Sequence, residues 1–149
     1  MRLFLAALTL IFLSACSPTA TVQNVRTGVN TAVTGQRQVA YAASSQEVMN
    51  ALLTLSARMQ PDEAHTPYFV SNDTPEGMRL SSSPLTAGTN ISNSKVKNAV
   101  KIVIDIETVE ADGYTSVSFK PSPSDHSSAR EARDDLIRAL DGMVARYSS

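Results

Sequence analysis

The chain has 149 residues, a formal net charge of −1 and one cysteine. So balanced a charge supplies no basic stripe for nucleic acid, and one cysteine cannot close a disulfide within the chain. Trp is absent and aromatic residues make up 5% of the sequence, so the core of the single domain expected at this length is predicted to be aliphatic.

Met1-Arg2 is followed by an apolar run from Leu3 to Leu13, and then by Ser14-Ala15-Cys16. A basic start, a short apolar stretch and small residues at a cleavage point are the layout of a secretory signal. The run is about 11 residues, against the ~20 that a helix needs to cross a bilayer, so a permanent span is not expected. Leu13-Ser14-Ala15-Cys16 resembles the lipobox of bacterial lipoproteins. The resemblance implies removal of residues 1–15, a diacylglycerol on the Cys16 sulfur and usually an acyl chain on its nitrogen. Two or more chains anchor stably where one holds only marginally. Ser17 stands where an Asp would favour inner-membrane retention. By the same resemblance, the chain is expected at the outer membrane, facing the periplasm. A lipidated Cys16 is also withdrawn from redox and metal chemistry.

Residues 16–36 are rich in Ser, Thr, Val, Asn, Gln and Gly, and Arg26 is their only charge. With no sustained period of two or 3.6, they are predicted to form a flexible tether spanning roughly 25 Å root-mean-square. Residues 37–149 are left as a single globular domain.

Within it, Val39, Tyr41 and Ala43 alternate as in a short strand. Ser44 and Glu47 have the spacing of a capping box. Val48, Leu52, Leu55 and Met59 then recur at helical intervals, with Met49 and Leu53 widening the stripe and Pro61 as the stop. A second strand is predicted at Pro67–Ser71, a turn at Asn72–Gly77 and a third strand around Met78 and Leu80. Ser81 to Ser94 carries no charge and little hydrophobicity, and reads as the longest loop, a feature often functional or disordered. Val100, Ile102, Ile104 and Ile106 alternate with polar residues in the clearest strand, Val96–Val109. Asp112-Gly113 is a two-residue hairpin signal. It predicts that Ala111 faces Tyr114, Thr108 faces Val117 and Ile106 faces Phe119, which brings the apolar faces of both strands together. Ser128 and Glu131 repeat the capping-box spacing. From there on, Ala129, Ala132, Leu136, Ile137, Leu140, Met143, Val144 and Tyr147 form a long stripe. Arg130, Asp134, Arg138 and Asp141 are expected to pair along the wet face.

This order predicts an α+β domain: an antiparallel sheet of four to five strands with two helices packed on one face, in the order β-α-β-β-β-β-α. Tyr41 to Val48, Tyr68-Phe69-Val70, Asp73 to Gly77, Met78-Arg79-Leu80 and Asp112 to Val117 together resemble a pattern found in small, uncharacterised bacterial lipoproteins. That resemblance implies no activity. The element order is also similar to helix-grip proteins, which hold apolar ligands between a curved sheet and a C-terminal helix.

Candidate chemistry is sparse. His65 and His126 lie beside turn residues and are expected at the surface, too few to make a zinc site once Cys16 is lipidated. Asp125-His126-Ser127 contains triad residue types, but adjacent residues cannot converge as a triad does. Asp105, Glu107, Glu110 and Asp112 could supply oxygens to Ca²⁺, yet alternation spreads them along a solvated strand. No catalytic, cofactor-binding or metal residues are therefore predicted, and Cys16 is the one assigned site. The expected function is a non-catalytic accessory or protein-interaction module, held to the membrane by acyl chains on Cys16 and partnered by another envelope protein. The alternative is a carrier or sensor of an apolar ligand such as lipid, held between sheet and C-terminal helix.

Overall fold

A computed structural model describes residues 35–85 and 99–148. The element order is β1 (Arg37–Tyr41), α1 (Ser45–Ser56), β2 (Phe69–Thr74), β3 (Gly77–Ser82), β4 (Ile102–Ala111), β5 (Tyr114–Ser122) and α2 (Ser127–Asp141). The strands form one five-stranded antiparallel sheet in the order β1-β5-β4-β3-β2. Both the α+β class and the element order match the expectation from sequence.

The β4–β5 hairpin lies at the centre because its two strands are the longest and carry the best-matched apolar faces. Ala111 pairs with Tyr114, Thr108 with Val117 and Ile106 with Phe119, the register that a two-residue loop dictates. Gly113 supplies the turn at φ +83°, a left-handed conformation that costs glycine little. On β4 the inward residues Ile102, Ile104 and Ile106 are fully buried, while Glu107 and Val109 on the opposite face are exposed.

Both helices cover the inward face. α1 packs against β2 and β4, α2 packs against β4 and β5, and the helices touch each other. Val48, Met49 and Leu52 from α1 join Ala129, Ala132, Leu136, Ile137 and Leu140 from α2 over Val39, Tyr41, Leu80, Val117 and Phe119. Each large aliphatic or Phe side chain in that layer contributes roughly 1.5–3 kcal/mol by leaving water.

The helix starts differ. Ser44 caps α1 as a full capping box: its Oγ accepts from Glu47 N at 3.3 Å, and Glu47 Oε2 accepts from Ser44 N at 2.9 Å. α1 ends at Ser56, five residues ahead of the expected stop at Pro61. The box expected at Ser128 and Glu131 does not form. α2 begins earlier, at Ser127, with His126 as N-cap and no side-chain bond to the helix. Its apolar stripe also ends early, because the helix stops at Asp141. Met143 and Tyr147, expected to continue the stripe, are 50% and 40% exposed.

Beyond α2 the chain turns back along the outer side of β1. Ala42 N donates to Ala145 O and Tyr147 N donates to Ala40 O, both at 2.9 Å. These bonds cover part of an edge that would otherwise present unpaired backbone groups. At the other end of β1, Gly35 is buried and Gln36 Nε2 donates to Ser118 Oγ at 2.6 Å. Gly35 and Gln36, inside the stretch assigned to the tether, thus pack against the domain.

Candidate functional site

The outward face of the sheet is the broad surface left uncovered by the helices. Register places Phe69, Ser81 and Val103 in one row, Arg79, Asp105 and Lys120 in the next, and Glu107, Ser118 and Gln38 in a third. The middle of the face is polar and internally paired. Arg79 Nε donates to Asp105 Oδ1 at 2.5 Å, and Gln38 Nε2 to Ser116 Oγ at 2.7 Å. The Asp105 carboxylate beside it raises the Arg79 guanidinium above its ordinary range. Apolar side chains stand towards the ends of this face: Phe69 is 69% exposed and Val109 66%. Near Val109, Tyr114 and Tyr147 stack with ring centroids 4.7 Å apart. Singly scattered apolar residues in a polar field do not form a ligand cavity.

A second feature lies in the turn between α1 and β2. Asp62 Oδ1 accepts from Ala64 N at 2.7 Å, a local bond that shapes the turn. The same oxygen lies 2.7 Å from His65 Nδ1, and His65 Nε2 lies 2.8 Å from Val100 O. Thr66 N donates to Ser83 O at 2.9 Å, and Leu85 N to Ala64 O at 2.8 Å. His65, expected at the surface, is instead 2% exposed. Sequence shows the turn but not the two distant segments that close over it.

The remaining candidates do not converge. Asp125 and Ser127 are exposed, and His126 Nδ1 is buried without a hydrogen-bond partner. The four carboxylates weighed for Ca²⁺ split between faces. Asp105 pairs with Arg79, whereas Glu110 turns towards α1 and accepts from Ser45 N at 2.8 Å. Beside that contact Ser45 Oγ meets Thr108 Oγ1 at 2.6 Å, joining the start of α1 to β4. Among the described residues no three His, Cys, Asp or Glu side chains group as metal ligands.

The pairs expected on the wet face of α2 are rearranged. Asp134 meets Arg37 of β1 at 2.8 Å and also its neighbour Arg133. Arg138 pairs with Asp135, and Arg130 donates to Ser124 O. Arg133 itself is 3% exposed and donates to Gly35 O. It was legible as an anomaly: it lies four residues from Ala129 and from Ile137, on the apolar stripe.

Two places bear on ligand binding. Leu136 and Leu140, together with Ile104, Val117 and Phe119 of the sheet, are fully buried. An apolar ligand between sheet and α2 would have to displace such side chains. A shallow groove of about 430 Å³ runs between α1 and the segment after α2, lined by Ala43, Asn50, Thr54, Met143 and Val144 among others. Its one carboxylate, Glu47, is engaged in the helix cap, so it lacks the converging polar groups of a specific small-molecule site.

Cys16, the lipidation site expected from sequence, lies outside the described residues. Among those described, no helix is long and apolar enough to cross a membrane. Compared with protein-family models and with curated proteins, the chain matches none.

Proposed function

We propose that this chain is a bacterial envelope lipoprotein, anchored by acyl chains on Cys16 at the outer membrane and facing the periplasm. Its α+β domain acts there as a non-catalytic accessory module that binds another envelope protein. The observation that carries the reading is Leu13-Ser14-Ala15-Cys16 at the end of a short apolar run. A domain held by a lipid needs only modest affinity, because confinement to one surface raises the effective concentration of its partners. The outward sheet face, polar at its middle with exposed Phe69 and Val109, supports a contact of that kind.

Two measurements test this. Metabolic labelling with a radiolabelled fatty acid should mark the wild-type chain and leave Cys16→Ser unmarked, with the variant lost from the membrane fraction. Membrane retention of the variant at wild-type levels would remove the anchor. Photo-crosslinkers at Ser81 and Val109, on the outward sheet face, should capture one envelope protein reproducibly in cells. Crosslinkers at Asn50 and Arg138, on the helical side, should not. Equal capture from both sides, or none, would remove the sheet-face docking.

A further inference from the structure

The turn at residues 62–66 joins segments that are far apart in sequence. Through backbone bonds it holds Ser83 and Leu85, which follow β3, and through the His65 ring it holds Val100, which precedes β4. Both oxygens facing the ring are acceptors: the Asp62 carboxylate on Nδ1 and the Val100 carbonyl on Nε2. A neutral imidazole has one N–H and can donate to only one of them, whereas the imidazolium donates to both. The ring is 2% exposed and cut off from bulk water, whereas the Asp62 carboxylate on Nδ1 is 44% exposed.

We propose that His65 is a proton-operated clasp. With both ring nitrogens protonated it fastens the turn to the backbone ahead of β4. With one proton gone, one of the two contacts faces oxygen without a hydrogen between them and opens. Titratable side chains on the segments packed here include Glu63 within the turn, Tyr68 at its exit and Lys101 after Val100. Burial, and then the carboxylates of Asp135 on α2 and of Asp62, push the Tyr68 hydroxyl well above its ordinary range and keep it protonated. The clasp is complete while both ring nitrogens carry protons, and it loosens when rising pH removes one of them. The inference stands on this turn alone and does not require the lipid anchor.

The test is nuclear magnetic resonance of the full chain in detergent micelles from pH 5 to 8.5. It reads the His65 ring nitrogens by long-range ¹H–¹⁵N correlation and the amides of Thr66 and Leu85 by hydrogen exchange. The expected result is two protonated ring nitrogens at the acidic end and one at the basic end. At the same midpoint, exchange protection of Thr66 and Leu85 falls about fivefold, the equivalent of one net hydrogen bond. The amide of Ile104, in the central strand, keeps its protection. His65→Gln should abolish the pH dependence at both amides. The clasp is overturned if the ring keeps a single neutral tautomer throughout, if protection does not follow the ring, or if His65→Gln retains the wild-type profile. Should that variant fail to fold, the wild-type ring and amide titrations decide the matter alone.

Discussion

The Tyr41 hydroxyl donates to Asp141 Oδ1 at 3.0 Å across a separation of 100 residues. This contact ties the first strand to the end of the last helix. Arg146 completes it, with Nε on Oδ1 at 2.8 Å and Nη2 on Oδ2 at 2.6 Å. Burial, and then the neighbouring Asp141 carboxylate, push the Tyr41 phenol well above its ordinary range, so it remains a donor at any physiological pH. Tyr41→Phe should therefore destabilise the domain by about 1.5–3 kcal/mol, the worth of a hydrogen bond to a charged group. Arg146→Ala, at a half-exposed pair, should cost about 1 kcal/mol or less. Urea denaturation of both variants checks the ranking.

The same node sets a pH dependence. The Arg146 hydrogen bonds, helped by the Tyr41 hydroxyl, hold the Asp141 carboxyl below the usual carboxylate range. A carboxyl held low in the folded state stabilises it above that range, and the benefit is lost as pH falls through the lowered value. Asp141→Asn should thus be less stable than wild type at pH 7, and the gap should close below about pH 4. A gap that stays constant down to pH 2 would show that the carboxylate charge contributes nothing.

Two glycines separate backbone strain from steric collision. A Cβ on Gly113 meets nothing within 4 Å, so Gly113→Ala costs only the left-handed conformation at φ +83°, about 1–2 kcal/mol. A Cβ on Gly77 would lie 2.5 Å from Ile106 O, a backbone atom of the adjacent strand. Gly77→Ala should reach or pass the upper end of the ~1–3 kcal/mol typical of overpacking. Thermal unfolding of the two variants should give the larger fall in Tm for Gly77→Ala.

The helix starts offer a stabilising change beside a destabilising one. Ser44→Ala removes a capping box and should cost about 1 kcal/mol. His126 occupies the N-cap of α2 without a side-chain bond to the helix, and no acidic residue stands in the first turn. His126→Asp should therefore gain about 0.5–1 kcal/mol from a new cap and the helix dipole. Calorimetry should show Tm moving in opposite directions for the two variants.

The core is tested at Leu136, fully buried beneath the sheet. Leu136→Ala should cost about 2–5 kcal/mol through lost burial and the cavity left behind. Leu136→Met, close in volume, should cost less than about 1.5 kcal/mol. Chemical denaturation of this pair distinguishes a close-packed interface from one with room for a guest.

Element order and register were legible in the sequence because they follow from local rules. The period of two in Ile102, Ile104 and Ile106 and the Asp112-Gly113 turn together leave one register that buries both apolar faces. Ser44 and Glu47 lie within four residues of each other, and so their capping box could be read directly. Ser128 and Glu131 show the limit of that rule: the spacing was present, but the N-cap fell on His126, so the chain leaving β5 entered helical geometry two residues earlier.

What only the tertiary structure decided is the surroundings of individual polar groups. His65 and Arg133 are buried, and Glu110 reaches the start of α1, because Val100, Gly35 and Ser45 arrive from 35, 98 and 65 residues away. Burying a polar side chain is tolerable only when such partners replace water, and no local pattern announces which segments will meet. The sequence by itself determined the order of the elements and the register of the central hairpin. The fold alone determined which charged and titratable residues became struts and which were left facing solvent.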